Sequence, residues 1–362
     1  MKVLIAPDSF KGTFSADDIA LRIRDALPQA LQQRAVVQPL ADGGEGTVAV
    51  LAKAFQASIV KTKATAPLGD IIDADYALAT QTAFIETAAA SGLPLVTLTL
   101  RPDVATTFGT GEVIKDALKR GATKIIIGLG GSATIDGGAG LLQALGAKLC
   151  DENGTDVPRG NIGLEKLSVV DLSNVFQERR PEIIVASDVT NPLLGECGAV
   201  KMFGAQKGVA PSQMESFEKR LAHFADKLEL AVGKSLRNKA GSGAAGGLGM
   251  ALAALGGKVV SGASLVNDAV RLEEKIIDAD VVITGEGKLD ETSLNGKVVG
   301  NVAALCVKHH KKCIVVCGVT NLNNASGIEK IIPLFEAVPE NLEQAKAQTS
   351  TRLGEKLSTI DL

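Results

Sequence analysis

Five apolar segments of the sequence run directly into loops that carry a carboxylate, and three of those loops add a glycine cluster. Val3 to Ala6 leads into Pro7-Asp8-Ser9-Phe10-Lys11-Gly12, and Val36 to Leu40 leads into Ala41-Asp42-Gly43-Gly44-Glu45-Gly46. Ile125 to Leu129 leads into Gly130-Gly131-Ser132-Ala133-Thr134-Ile135-Asp136-Gly137-Gly138. Ile183 to Ala186 leads into Ser187-Asp188 and Asn191-Pro192, and Val281 to Thr284 into Gly285-Glu286-Gly287-Lys288-Leu289-Asp290. Glycines ahead of a helix let successive backbone N–H groups approach an anion, and the helix N-terminus adds partial positive charge. Carboxylates beside such loops would repel a bare phosphate. They fit if Mg²⁺ bridges them to phosphate oxygens while lysines neutralise the rest. Lys11, Lys207, Lys288 and Lys297 stand in suitable loop contexts. Any one such loop is also ordinary turn and cap chemistry; five together point to a site.

The elements that hold these loops follow from the hydropathy pattern. Short Val/Ile-rich runs recur at 2–6, 36–40, 83–85, 124–128, 182–186, 281–284, 313–316 and 331–335, mostly separated by stretches of helical length. Runs of this kind predict parallel strands buried on both faces, and ligands of such sheets bind beyond the strands' carboxyl ends. A capping box at Ser212 and Glu215 predicts a helix whose core stripe is Met214, Phe217, Leu221, Phe224 and Leu228. Residues 57–85 break the rhythm with two or three non-helical strands around Pro67-Leu68-Gly69-Asp70. The expectation is two α/β domains: a flavodoxin/Rossmann-like parallel sheet built from both chain ends, 1–60 plus 275–362, and an inserted mixed-sheet domain, 61–274. A chain that crosses twice between domains predicts a hinge and a cleft.

Composition narrows the function. Lys+Arg 38 against Asp+Glu 41 gives a net charge of −3, and the aromatics are 10 Phe, one Tyr and no Trp. That surface has neither the basic patch nor the stacking platform of a nucleic-acid binder. No apolar run reaches the length of a membrane span and the N-terminal strand is too short for a signal-peptide core, so a cytoplasmic protein is expected. The 5 cysteines lack CxxC spacing and read as free thiols. The 3 histidines, His223, His309 and His310, stand outside the loops described, and the last two read as the basic end of a helix. A P-loop is absent, because Leu228 stands where its first glycine belongs before Gly233-Lys234-Ser235. Gly241 to Gly246 matches GxGxxG but follows no strand, so the dinucleotide context fails; an anion-binding turn opening a helix over 244–255, or close packing, remains.

Seven segments taken together resemble the bacterial glycerate kinase family: APDSFKGTFSA (6–16), ADGGEGT (41–47), GLGGSATIDGGAG (128–140), ASDVTNPLLG (186–195), FGAQKG (203–208), GAAGGLG (243–249) and VITGEGKLDETSLNGK (282–297). They stand in the family's order across most of the chain. Ile135 and Ala205 replace the usual Asn and Pro, and Glu291-Thr292 and Val298-Val299 also depart, but no carboxylate or lysine is lost. The resemblance implies an enzyme that phosphorylates D-glycerate with ATP and Mg²⁺, giving 2-phosphoglycerate; residue chemistry alone leaves the 3-hydroxyl open. The other classes considered are a hydroxy-acid dehydrogenase using the GxGxxG turn and a non-catalytic carboxylate-binding protein. The expected partner is the small-molecule substrate, without nucleic acid or membrane, and nothing in the pattern fixes an oligomeric state.

With that substrate, the loops take candidate roles. Asp188 is the expected proton acceptor, with Asp42 next and Glu45 placed to share a metal with it; Lys11 completes the catalytic group. Asp8, Ser9, Lys11, Asn191 and Lys207 are expected to bind substrate. Gly130, Gly131, Ser132, Thr134, Gly243, Gly246, Gly247 and Lys288 are expected around the nucleotide, and Glu286, Asp290 and Asp136 around the metal.

Overall fold

The computed structural model describes residues 1–360 apart from Glu45, Leu98 and Glu178. Its strands in chain order are β1 (Val3–Ile5), β2 (Ala35–Val37), β3 (Ser58–Thr65), β4 (Ile71–Ala79), β5 (Thr82–Glu86), β6 (Lys124–Gly128), β7 (Lys148–Cys150), β8 (Val169–Asp171), β9 (Glu182–Ala186), β10 (Lys258–Val260), β11 (Val281–Leu289), β12 (Lys312–Thr320) and β13 (Lys330–Pro333). The chain divides into two compact units, Met1–Asp42 with Ala263–Leu362, and Gly43–Gly262. Both divisions fall earlier than the 60 and 275 read from the sequence. The helix Thr47–Ala54 packs on β4 and β5, so it goes with the inserted unit.

The terminal unit is a parallel sheet in the order β2-β1-β11-β12-β13. Counted within that unit the order is 2-1-3-4-5, the flavodoxin-like winding, whose switch point lies between its first and third strands. Here those are β1 and β11. Val3, Ile5, Val281, Ile283 and Val316 are buried together with Ile19 and Ile23 of the helix Ala16–Ala26 and Leu353 and Leu357 of the helix Leu342–Leu357. Each such side chain contributes about 1.5–3 kcal/mol by leaving water. The first helix starts cleanly because the Ser15 hydroxyl accepts from the Asp18 N–H at 3.1 Å.

The inserted unit is a mixed sheet, β10-β9-β6-β5-β4-β3, with β3, β4 and β5 antiparallel and the rest parallel, plus a β7-β8 pair. The expected helical stripe is its core: Phe217, Leu221, Phe224 and Leu228 are buried along the helix Met214–Val232. The cap differs from expectation. A 3₁₀ turn at Pro211–Gln213 precedes the helix, the Gln213 side chain accepts from the Ala210 N–H, and Glu215 pairs outward with Lys219. The helix expected over 244–255 is a 3₁₀ turn followed by Leu248–Ala254, since Ala245 and Gly246 take left-handed backbone angles. No helix among the described residues is long and apolar enough to cross a membrane.

Candidate active site

In the terminal unit, hydrogen bonding continues past the ends of the short strands and carries three acids together. Beyond β1, the Ala6 N–H donates to the Ile283 carbonyl at 2.7 Å and the Asp8 N–H to the Gly285 carbonyl at 2.8 Å. That sets Asp8 beside Glu286 of β11. Beyond β2, the Leu40 N–H donates to the Pro7 carbonyl at 2.9 Å, which brings Asp42 to the same place. Gly285 has to be glycine, because a Cβ there would stand 2.0 Å from the Val316 carbonyl oxygen of the neighbouring strand.

The acids border a cavity of about 360 Å³. Asp8 is only 5% exposed, and burial, with the nearby charge of Asp42 second, pushes its carboxyl up to about 7. One Asp8 oxygen accepts from the Ser9 N–H at 2.6 Å. Lys11 Nζ lies 3.4 Å from Asp42 Oδ2. Partial burial works against its charge, but Asp42 and Asp8 hold the ammonium above its ordinary value. Burial also raises the Glu286 carboxyl, whose Oε1 is buried with no hydrogen-bond partner. A buried carboxylate oxygen left without a donor is costly, and functional sites are where that cost is tolerated.

Asp290 is occupied differently. It caps the 3₁₀ turn Glu291–Leu294, accepting from the Thr292 N–H at 3.0 Å and the Thr292 hydroxyl at 2.6 Å, and its second oxygen lies 3.2 Å from Lys288 Nζ. These partners hold its carboxyl below the usual range, the Thr292 hydroxyl most of all. Lys288 and Lys297 line the same cavity as Asp8, Ser9, Lys11, Asp42 and Glu286. Sequence reasoning missed the cavity's apolar lining, which includes Val319, Phe335, Val338 and Leu342. Phe10, inside the first motif, was the available signal. Glu45 lies outside the described residues.

Within the inserted unit the remaining candidates are hydrogen-bonded to loop backbone and side chains. Asp136 is fully buried, and its carboxylate accepts from the Thr107 N–H (2.8 Å), the Thr107 hydroxyl (2.9 Å), the Gly140 N–H (3.2 Å) and the Gly138 N–H (3.1 Å). Metal binding there would require breaking those bonds. Lys207 is 3% exposed; its Nζ donates to Ser132 Oγ at 2.7 Å and to the Thr134 carbonyl at 2.9 Å. Burial pulls its ammonium down to about 7. The Gly131 carbonyl accepts from the Leu93 N–H at 2.8 Å, which pins the loop that begins at Gly130. Asp188 Oδ1 accepts from the Gly262 N–H at 3.1 Å, and Asn191 Nδ2 donates to the Cys197 carbonyl at 2.7 Å.

The two glycine-rich loops of this unit lie against each other. The Gly137 N–H donates to the Gly246 carbonyl at 3.0 Å, Gly247 abuts Gly137, and the Gly243 N–H donates to the Asn191 carbonyl at 3.0 Å. Gly246 has φ +68°, and a Cβ there would stand 1.9 Å from the Thr134 carbonyl oxygen. Gly246→Ala is therefore expected to destabilise the protein by roughly 2–5 kcal/mol, the sum of backbone strain and overpacking. Urea unfolding measures it, and an unchanged midpoint would show that the contact is not needed.

With this geometry in view, comparison with known proteins is specific. The glycerate kinase family pattern matches residues 3–360. The chain is 46% identical over 327 residues to the glycerate 2-kinase of Escherichia coli K12, covering 88% of this chain and 85% of that one. It is 41% identical over 349 residues to the glycerate kinase of Bacillus subtilis 168, covering 94% and 91%. A crystal structure named provisionally as glycerate kinase 2 from Salmonella typhimurium LT2 superposes with a TM-score of 0.83 at 40% identity, covering 98% of this chain and 96% of that one. The chain belongs to the glycerate kinase family and is an enzyme of that family.

Proposed function

We propose that the enzyme transfers the γ-phosphoryl group of MgATP to the 2-hydroxyl of D-glycerate, releasing 2-phosphoglycerate. The observation that carries the reading is Asp8: a carboxyl pushed up to about 7, at the switch point of a doubly wound sheet, beside a lysine and two further acids. A proton acceptor works best when its pKa lies near the operating pH. Asp8 is accordingly assigned as the group that takes the hydroxyl proton, in preference to Asp188, which does not line the cavity that Lys11, Asp42 and Glu286 share with Asp8. Lys11, held by Asp42, and the Ser9 hydroxyl fix the substrate carboxylate. Ser9 Oγ is buried with no partner of its own and is available for this. Attack by the 2-hydroxyl rests on the similarity to a glycerate 2-kinase.

Among the described residues no group of three or more His, Cys, Asp or Glu side chains is placed to cage a metal. Mg²⁺ in kinases needs no such cage, since one or two carboxylates suffice when phosphate oxygens and water complete the shell. Glu286, with its unpartnered Oε1, fits that requirement, and Asp8 is its neighbour. When bound, the ion neutralises charge on the transferring phosphate. Lys288 and Lys297 supply further positive charge to the phosphates, and Asp290 orders their loop. In the inserted unit, Asp136 and Lys207 brace the 130–140 loop. The five free cysteines fit a reducing cytoplasm.

The test is direct. Purified enzyme with D-glycerate, ATP and Mg²⁺ should release ADP, and ³¹P NMR should show 2-phosphoglycerate. A 3-phosphoglycerate product overturns the regiochemistry, and no ADP release overturns the reading.

A further inference from the structure

The lining of the cavity beside Asp8 includes, besides several hydroxyls, a charged set and an apolar set. Asp8, Lys11, Asp42, Glu286, Lys288, Asp290 and Lys297 are charged, while Phe10, Val319, Phe335, Val338, Pro339 and Leu342 are apolar. D-glycerate carries an oxygen on every carbon and has no use for the second set. Val338 and Leu342 are nonetheless 68% and 54% exposed in the free protein, two large apolar side chains open to water at one cavity.

The two sets abut. Val319 of β12 stands in register with Lys288 of β11, and Phe10 lies between Ser9 and Lys11 in sequence. The pairing of β12 with β13 ends at Cys317↔Pro333, so Val319 lies two residues beyond it, on the side of the cavity. The helix that begins at Leu342 cannot serve as an anion site. Its first N–H groups are taken by Asn341, whose Oδ1 accepts from Glu343 N at 2.9 Å and Gln344 N at 3.2 Å. The hydroxyl of Thr349, another lining residue, is spent on the Ala345 carbonyl at 2.8 Å. What remains favours an uncharged, largely apolar group attached to an anion.

We infer that this apolar wall is the seat of the nucleotide's base, with the phosphates running from it toward Lys288, Lys297 and Glu286. The inference rests on the MgATP reading above. It puts the base in the terminal unit, on side chains that no glycine-rich loop supplies. Apolar burial next to a few charged groups is the usual make-up of a cofactor pocket, and the cavity size is in the normal range.

The absence of tryptophan from the chain gives the experiment a silent background. Val338→Trp places a single indole on the wall. MgADP should change its emission, while tripolyphosphate with Mg²⁺, or D-glycerate alone, should not. Leu342→Asp should weaken MgADP binding by at least about tenfold in calorimetry while the KM for D-glycerate stays unchanged. An equal response to tripolyphosphate would mean that phosphates occupy the wall, which overturns the inference. Native enzyme that binds MgADP, with a silent indole and an unimpaired Leu342→Asp variant, overturns it too and leaves the kinase reading standing. Native enzyme that binds no MgADP at all defeats both.

Discussion

Asp8→Asn should lower kcat by about 10²–10⁴-fold, the usual worth of a positioned general base. The substitution keeps the side chain's shape and leaves an oxygen to accept from the Ser9 N–H, now made at 2.6 Å. It removes only the basic oxygen, so KM for D-glycerate should change little. In the native enzyme kcat/KM should fall with acidity below about 7, where Asp8 takes up its proton, and this limb should vanish in the variant. The same substitution should stabilise the protein. Asp8 is held above its unfolded value of 3.8, so between there and about 7 the native state binds more protons than the unfolded one. Stability therefore falls as pH rises through that window, and the cost is complete above it. At pH 8 in EDTA the variant should gain about 1–4 kcal/mol, and at pH 4 almost nothing. Turnover within tenfold of native, or a Tm at pH 8 no higher than native, would remove Asp8 from the role given to it.

Glu286→Gln should cost at least about 10² in turnover, near 3 kcal/mol of transition-state stabilisation. Glutamine can keep the hydrogen bond with Ser293, so the loop after β11 stays in place. What is lost is the negative charge facing the transferring phosphate. The half-saturating Mg²⁺ concentration should rise together with the fall in rate, with the thermal transition unchanged or higher. Asp290→Ala is the contrasting variant: its carboxylate caps a 3₁₀ turn, and its effect should be about 1 kcal/mol of stability. If Glu286→Gln turns over normally at low Mg²⁺, the metal is held elsewhere.

Much of this was legible because parallel strands buried on both faces leave continuous apolar runs, and acids at their carboxyl ends announce a site. β7, β8 and β10 were not, since each is three residues with at most one of them buried and so leaves no continuous apolar run, whereas the equally short β1 is buried throughout. The chemistry of the site was only half legible. The acids stand out in the motifs, but which of them shares a desolvated corner depends on strands that pair across the whole chain. Asp8 is perturbed first by its burial and then by Asp42, which the continuation of β2 delivers beside it, and no spacing records either. Asp136 and Lys207 also stand in loop motifs, and the spacing does not record that each is hydrogen-bonded to partners far along the chain, Thr107 for one and Ser132 for the other.

The insertion also sets the order in which the molecule can be built. β1 pairs with β11, Val3 opposite Val281, so the first strands made on the ribosome have no central neighbour until most of the chain is out. At ~5–20 residues per second that is a wait of roughly 15–60 s. The inserted unit shortens the search that follows. Its two ends already touch, since a Cβ built on Gly43 would lie 2.9 Å from the Gly262 Cα. Folding it first replaces an open loop of some two hundred residues by a joint of a few, which saves about 4 kcal/mol of closure entropy. The inserted unit should therefore acquire protection from hydrogen exchange before the terminal sheet does when the denatured protein is diluted into buffer. Protection appearing first in β1 and β11 would reverse that order.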